Sequence, residues 1–250
     1  MIICEVGLNH IGNEAYSSYY TNELIAADCD AITYQIREKE FYKNDKFLNS
    51  ELLFDHYSDI INRIHKNNKK FGMALADHSL VDKCESIGVD FYKILSWDLN
   101  NYNFINSLIE TKKPIYISTG MSDMREIQEF NNYHKKSADQ ITLIHTQLNC
   151  DIENVNLKAI KMLKNSFTFP VAFGNHCNNI NVLYAATAFE PSDIFIYVKG
   201  PLIDKHPDEG HAVDLKELPN IINNIKEMNI ALGSEKKIKM ENYTDKENLK

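Results

Sequence analysis

Residues 1–35, MIICEVGLNHIGNEAYSSYYTNELIAADCDAITYQ, pass from one short apolar run to another through an amphipathic segment. Ile2, Ile3, Cys4 and Val6 make a run of strand length, and Ala31, Ile32 and Tyr34 make a second. Between them, Tyr16, Tyr19, Leu24, Ile25 and Ala26 recur at helical spacing over 14–28. The stretch therefore predicts strand, helix, strand. Glu5 is its anomaly, because a carboxylate inside an apolar run is costly to bury unless it meets a cation, a metal or a hydrogen-bonding ligand. A salt-bridged core glutamate is the other reading.

The alternation continues to the end of the chain. Helices are predicted over 50–67, 80–87, 102–111, 124–134, 154–163, 180–189 and 215–228, and strands over 71–76, 91–95, 115–118, 141–146, 171–174 and 194–198. Eight strand–helix units in 250 residues predict the α/β class and a single-domain (β/α)8 TIM barrel over residues 1–233. An open doubly wound sheet is the runner-up, and the chain has no GxGxxG. Residues 234–250 are rich in Lys, Glu and Asn and are expected to form a charged, flexible tail.

Composition narrows the classes of function. A formal net charge of -8 disfavours nucleic acid and anionic membrane surfaces as partners. Five cysteines without a CxxC pair, in apolar segments, suit reduced and mostly buried thiols in a cytoplasmic protein. No apolar run approaches the length of a membrane span, and the first residues lack the basic region and cleavage site of a secretory signal.

In such a barrel the chemistry gathers at the C-terminal ends of the strands. The residues there are Glu5, Asn9 and His10 after strand one; Gln35 and Arg37 after two; Asp77 and His78 after three; Lys93, Ser96 and Asp98 after four. Ser118 and Thr119 follow strand five, His145 and Gln147 strand six, Asn175 and His176 strand seven, and Tyr197 and Lys199 strand eight. Each alone could be a satisfied cap or core group. Together they predict one polar mouth. Lys93 sits inside an apolar strand and is expected to pair with an acid or hold an anionic group.

Several segments resemble the sialic acid (N-acetylneuraminate) synthase family. They are Ile3-Cys4-Glu5-Val6-Gly7-Leu8-Asn9-His10-Ile11-Gly12, Gly88-Val89-Asp90-Phe91-Tyr92-Lys93-Ile94-Leu95-Ser96 and Lys113-Pro114-Ile115-Tyr116-Ile117-Ser118-Thr119-Gly120-Met121. Weaker pieces are Leu143-Ile144-His145 and Val171-Ala172-Phe173-Gly174-Asn175-His176. The resemblance implies a barrel enzyme that condenses phosphoenolpyruvate with an amino sugar or related aldose to give a nonulosonic acid. It implies a divalent metal, Mn or Mg, that activates the aldehyde, and a small antifreeze-like domain after the barrel, of which no counterpart is expected here. The implied partners are a small-molecule sugar and an anionic donor, with a homodimer allowed.

Carried over residue by residue, the resemblance gives Glu5, Lys93, Ser96 and His176 as catalytic, with His176 also a metal ligand. Asn9, His10, Gln35, Asp77, Asp98, Ser118, Thr119, His145 and Asn175 are the expected substrate-binding set. Other positions depart from the pattern. Thr33 stands in place of a lysine, Ala74 of a threonine, Leu148 of an asparagine and Gly174 of a serine. Val198 stands in place of a glutamate, and Gly200 in place of the second metal histidine. These losses weaken a site for a trianionic ligand, each charge-assisted bond being worth about 1.5–3 kcal/mol. Either His206, Asp208, Glu209 or His211 restores the metal coordination, or the barrel no longer runs the metal-assisted reaction. Two alternatives follow: a lyase or isomerase with a Schiff base on Lys93, and a non-catalytic barrel that binds a sugar or regulates a partner synthase.

Overall fold

Side-chain alternation along the strands decides what enters the barrel. In the computed structural model, which describes residues 1–203 and 205–237, β1 (Ile2–Gly7) points Cys4 and Val6 outward into the main core and Ile3 inward. Glu5, two residues after Ile3, shares its face. The remaining barrel strands are β2 (Ala31–Ile36), β3 (Lys70–Leu75), β4 (Phe91–Ile94), β5 (Ile115–Ser118), β6 (Ile141–His145), β7 (Val171–Gly174) and β8 (Ile194–Lys199). They pair in sequence order, all parallel, and β8 closes on β1. This is a (β/α)8 barrel.

Helices α1 (Glu14–Ala26), α2 (Phe54–Lys66), α3 (Val81–Ser86), α4 (Tyr102–Glu110), α5 (Met124–His134), α6 (Lys158–Ser166), α7 (Asn181–Thr187) and α8 (Leu218–Leu232) alternate with the strands. Asn13 caps α1 by accepting from the Tyr16 amide, and Asp123 with Glu126 closes a capping box on α5. The outer core lies between strands and helices, and its fully buried Ile and Leu side chains each contribute about 1.5–3 kcal/mol. The barrel interior is filled by Ile3, Ala31, Phe91, Tyr116, Ile144, Ala172 and Phe195. Gly72 makes room for this layer, since a Cβ there would lie 2.2 Å from the Phe91 ring.

Three helix starts differ from the sequence expectation. The helix predicted from residue 50 begins at Phe54, because the Ser50 amide and hydroxyl both bond back to the Phe47 carbonyl and hold a turn. The helix predicted from 154 begins at Lys158, since Asn156 adopts a left-handed φ of 48° that no helix can continue through. The last begins at Leu218 with a proline in its first turn, while Val213–Asp214 upstream forms a ninth strand, β9, beside β8. Gly233 ends α8, and 238–250 of the expected tail lie outside the described residues. No helix among the described residues is long and apolar enough to cross a membrane. Cys4, Cys29, Cys84 and Cys177 are buried free thiols and Cys150 is half-buried.

Candidate active site

Register brings the charged pair together at the C-terminal end of the barrel. Glu5 lies opposite Thr33 on one side and Tyr197 on the other, and Lys93 opposite Ala74 and Tyr116. Their side chains meet across the interior: Lys93 Nζ donates to Glu5 Oε2 at 2.7 Å and to the Tyr197 hydroxyl at 2.8 Å. Glu5 is wholly buried and Lys93 3% exposed. Burial alone would lower the lysine pKa, but the Glu5 carboxylate and the Tyr197 hydroxyl overcome it and raise the pKa above the ordinary value. Glu5 Oε1 has no hydrogen-bond partner among the described residues.

Above this pair lies a cleft of about 230 Å³. Its floor and wall carry Lys93, Ser96, Ser118, Tyr197, His176 and Asp208, and its mouth carries Arg37, Phe41, Phe47 and Trp97; Gln35 and Leu148 also line it. The Ser96 and Ser118 hydroxyls are 2.6 Å apart. His176 bonds Thr146 through Nδ1 at 2.7 Å and packs against His211 with ring centroids 4.4 Å apart. Both rings are held neutral. Burial, then His211 and Lys93, push the His176 pKa well below its usual value, and burial with Lys93 pushes His211 to about 4. Burial first and the Glu5 carboxylate second raise Asp208 to about 7.

Residues 16–237 match the NeuB family. The chain belongs to it. An uncharacterized protein of Methanocaldococcus jannaschii is 30% identical over 98% of this chain and 75% of its own length. The N,N'-diacetyllegionaminic acid synthase of Campylobacter jejuni is 25% identical over 93% of the chain and 77% of its own length. In fold, the chain is similar to the N-acetylneuraminic acid (sialic acid) synthetase of Leptospira borgpetersenii, with a TM-score of 0.87, 24% identity, and coverage of 96% of this chain and 87% of that one.

Within this NeuB-family barrel the expected site residues separate into two groups. Lys93, Ser96, Ser118, His176 and Gln35 line the cleft, with Glu5 directly behind Lys93. The others are turned to structural partners. Asn9 ties two loops together, its Nδ2 donating to the Val198 carbonyl at 2.8 Å and its Oδ1 accepting from the Asp208 amide at 3.1 Å. His10 stacks on Tyr34 and accepts from the Gly12 amide; burial and His56 lower its pKa to about 3. Asp77 accepts from the Ser79 amide and hydroxyl, and Asp98 from Asn101. Thr119 donates to the Ile144 carbonyl, His145 bonds the Val155 carbonyl, and Asn175 braces Cys177.

The donors present do not fit a resident divalent ion. At Gly200, a Cβ would lie 2.7 Å from the Tyr16 hydroxyl, and the Gly200 amide donates to Tyr20, so tyrosines occupy the place a histidine would need. Tyr16 in turn bonds His206 Nε2 at 2.8 Å, which takes His206 away from the cleft. Glu209 pairs with Lys199. His211 does come beside His176, and its Nε2 is buried without a hydrogen-bond partner among the described residues, with Asp208 Oδ1 3.7 Å away. Even so, no three His, Cys, Asp or Glu side chains gather as a metal-binding group among the described residues.

Arg37 and Tyr197 were expected at the polar mouth and Asp208 as a possible metal ligand, but none of them in the substrate-binding or catalytic set, and Trp97 was not expected at the site at all; all four line the cleft. Tyr197 had a signal in the sequence, since it follows the inward Phe195 by two residues. The pairing of Arg37 with Trp97 had none, because the partners come from different loops.

Proposed function

We propose that this barrel is a sugar-acid synthase of the NeuB family, joining C3 of an enol donor such as phosphoenolpyruvate to the aldehyde carbon of an amino sugar or related aldose, with water adding at the donor's C2 and inorganic phosphate leaving from it to give the 2-keto acid. The observation that carries this reading is the Lys93 ammonium at the base of the cleft, fixed between Glu5 and Tyr197. In this reading Lys93 stabilises negative charge on the bound donor, and the Ser96 and Ser118 hydroxyls donate to its oxygens. Glu5 keeps the lysine charged and in place. Asp208, which keeps its proton up to about pH 7, is positioned to protonate the oxygen that becomes a hydroxyl as the carbon–carbon bond forms. Neutral His176 braces the wall through Thr146. No step is assigned to a metal, because the donor set does not fit one.

A Schiff base on Lys93 is disfavoured, since the nucleophile must be a free amine and this one is an ion-paired ammonium with a raised pKa. The non-catalytic reading has specific support: Thr33 leaves its buried hydroxyl without a partner where the family places a lysine, and Gly200 has no room for a histidine. Phosphate release from phosphoenolpyruvate, measured with N-acetylmannosamine and with pentose to hexose aldehydes, with and without manganese, separates the two. Release with any acceptor is expected. Silence across the whole panel sinks the synthase reading and leaves a sugar-binding barrel.

A further inference from the structure

Only two cationic side chains, Lys93 and Arg37, line the cleft among the described residues, and they are in different states. The charge of Lys93 is already matched by Glu5 at 2.7 Å. Arg37 stands at the mouth inside an aromatic stack. Its guanidinium carbon lies 4.0 Å from the Phe41 ring centroid and 4.7 Å from that of Trp97, and Phe47 backs Phe41 at 4.3 Å. The Arg37 amide also donates to the buried Tyr42 hydroxyl at 3.0 Å, which pins the backbone. A guanidinium held between rings can donate only in its own plane. One edge is used, Nε donating to Glu38 Oε2 at 2.9 Å; neither Nη group bonds an acceptor among the described residues.

A planar fork, pre-oriented by stacking and left free at the rim of a cleft, matches a carboxylate or phosphate, which it can hold through two parallel hydrogen bonds. The need for it is local. The position where the resemblance places a lysine is Thr33, and the deep lysine is held by Glu5, so among the described residues Arg37, whose ion pair with Glu38 uses only its Nε edge, is the lining cation with a free fork. Trp97 fits the same picture: it follows Ser96 directly and stays 46% exposed at the mouth, where its ring covers the guanidinium. A rim arginine that only solvated the surface would need neither plate.

We propose that Arg37, clamped between Phe41 and Trp97, is the anion receptor of this cleft and binds a carboxylate or phosphate group of the substrate through its free Nη edge. The inference rests on the reading above in taking the cleft as the substrate site. It gives a specificity-determining role to the arginine that directly follows β2.

Trp97 is the only tryptophan in the chain, so its fluorescence reports on this clamp directly. The test is to titrate the whole protein with phosphoenolpyruvate, pyruvate and inorganic phosphate, reading Trp97 emission and, in parallel, heat by calorimetry. Saturable binding is expected, weakening as salt is raised. Response to pyruvate assigns the receptor to the carboxylate, and response to phosphate assigns it to the phosphate. Arg37→Gln should weaken binding by about ten-fold or more, and Arg37→Lys by less, because the charge stays while the fork is lost. Glu38→Gln, which removes the competing carboxylate, should tighten it. Equal midpoints for Arg37→Gln and the parent, or no saturable binding of any of the three anions, overturns the proposal. Turnover separates it from the synthase reading. Anion binding without phosphate release removes the reaction and keeps the receptor, whereas phosphate release with a phosphoenolpyruvate KM unchanged in Arg37→Gln does the reverse.

Discussion

The floor and the mouth of the cleft each hold one cation, and they hold it in opposite ways. At the floor, Lys93 is buried, ion-paired and bridged to two strands, so its geometry is set by the barrel. At the mouth, Arg37 is positioned by stacking on side chains from two loops and keeps hydrogen-bonding capacity in reserve. A buried cation enclosed by its counter-ion organises a site. A cation stacked on rings, whose counter-ion Glu38 occupies only the Nε edge, is left able to meet a ligand's charge. Substitutions should therefore cost mainly stability at the floor and mainly binding at the mouth.

The largest expected effect is at the floor. Glu5→Leu leaves a buried ammonium without its counter-charge and should cost about 3–5 kcal/mol in denaturant unfolding. The Glu5→Leu/Lys93→Met double variant should recover much of that loss. Strictly additive costs would show that the pair is not coupled and would erase the contrast with the mouth. Next is Gly200→His, which forces an imidazole against the Tyr16 hydroxyl and should destabilise by about 1–3 kcal/mol in thermal melts. Adding Tyr16→Ala should relieve part of that cost.

The third test is pH. Asp208 has a folded pKa of about 7, above its unfolded value, so its contribution to stability is complete below the unfolded pKa and is lost as pH rises toward 7. The buried neutral His176 and His211 slope the other way over the acid range, because unfolding lets them take up protons. The stability of the parent minus that of Asp208→Asn should accordingly fall between about pH 4 and 7 and be flat above. A flat difference would place Asp208 in solvent. The smallest stability effect belongs to the mouth: Trp97→Ala, half-exposed, should change folding stability by less than about 0.5 kcal/mol. A larger loss would mean that the clamp is part of the barrel's support.

The barrel was legible because its signal is periodic and local. Ile3 to Glu5, Phe91 to Lys93 and Phe195 to Tyr197 are each two residues apart on an inward face, so the polar member of each pair follows from its apolar neighbour. The site was legible only where strands supply it. His10, Asp77, Thr119 and His145 are also polar groups at strand ends, yet they satisfy backbone groups or stack in the outer layer, and strand-end position alone does not distinguish those roles. The aromatic clamp depends on how the turn at Phe41–Lys43 and the loop after β4 approach each other, and no period encodes that meeting.

The hydroxyl chain that runs from the Gly200 amide through Tyr20 and Tyr16 to His206 gives the segment after β8 a second attachment. Tyr16 and Tyr20 lie on α1, so the first helix and the segment after the last barrel strand are tied to each other in addition to the β1–β8 pairing. The barrel is thus closed twice, once through a backbone ladder and once through phenol hydroxyls. Loosening α1 would be felt at the cleft, because the segment it holds carries Asp208.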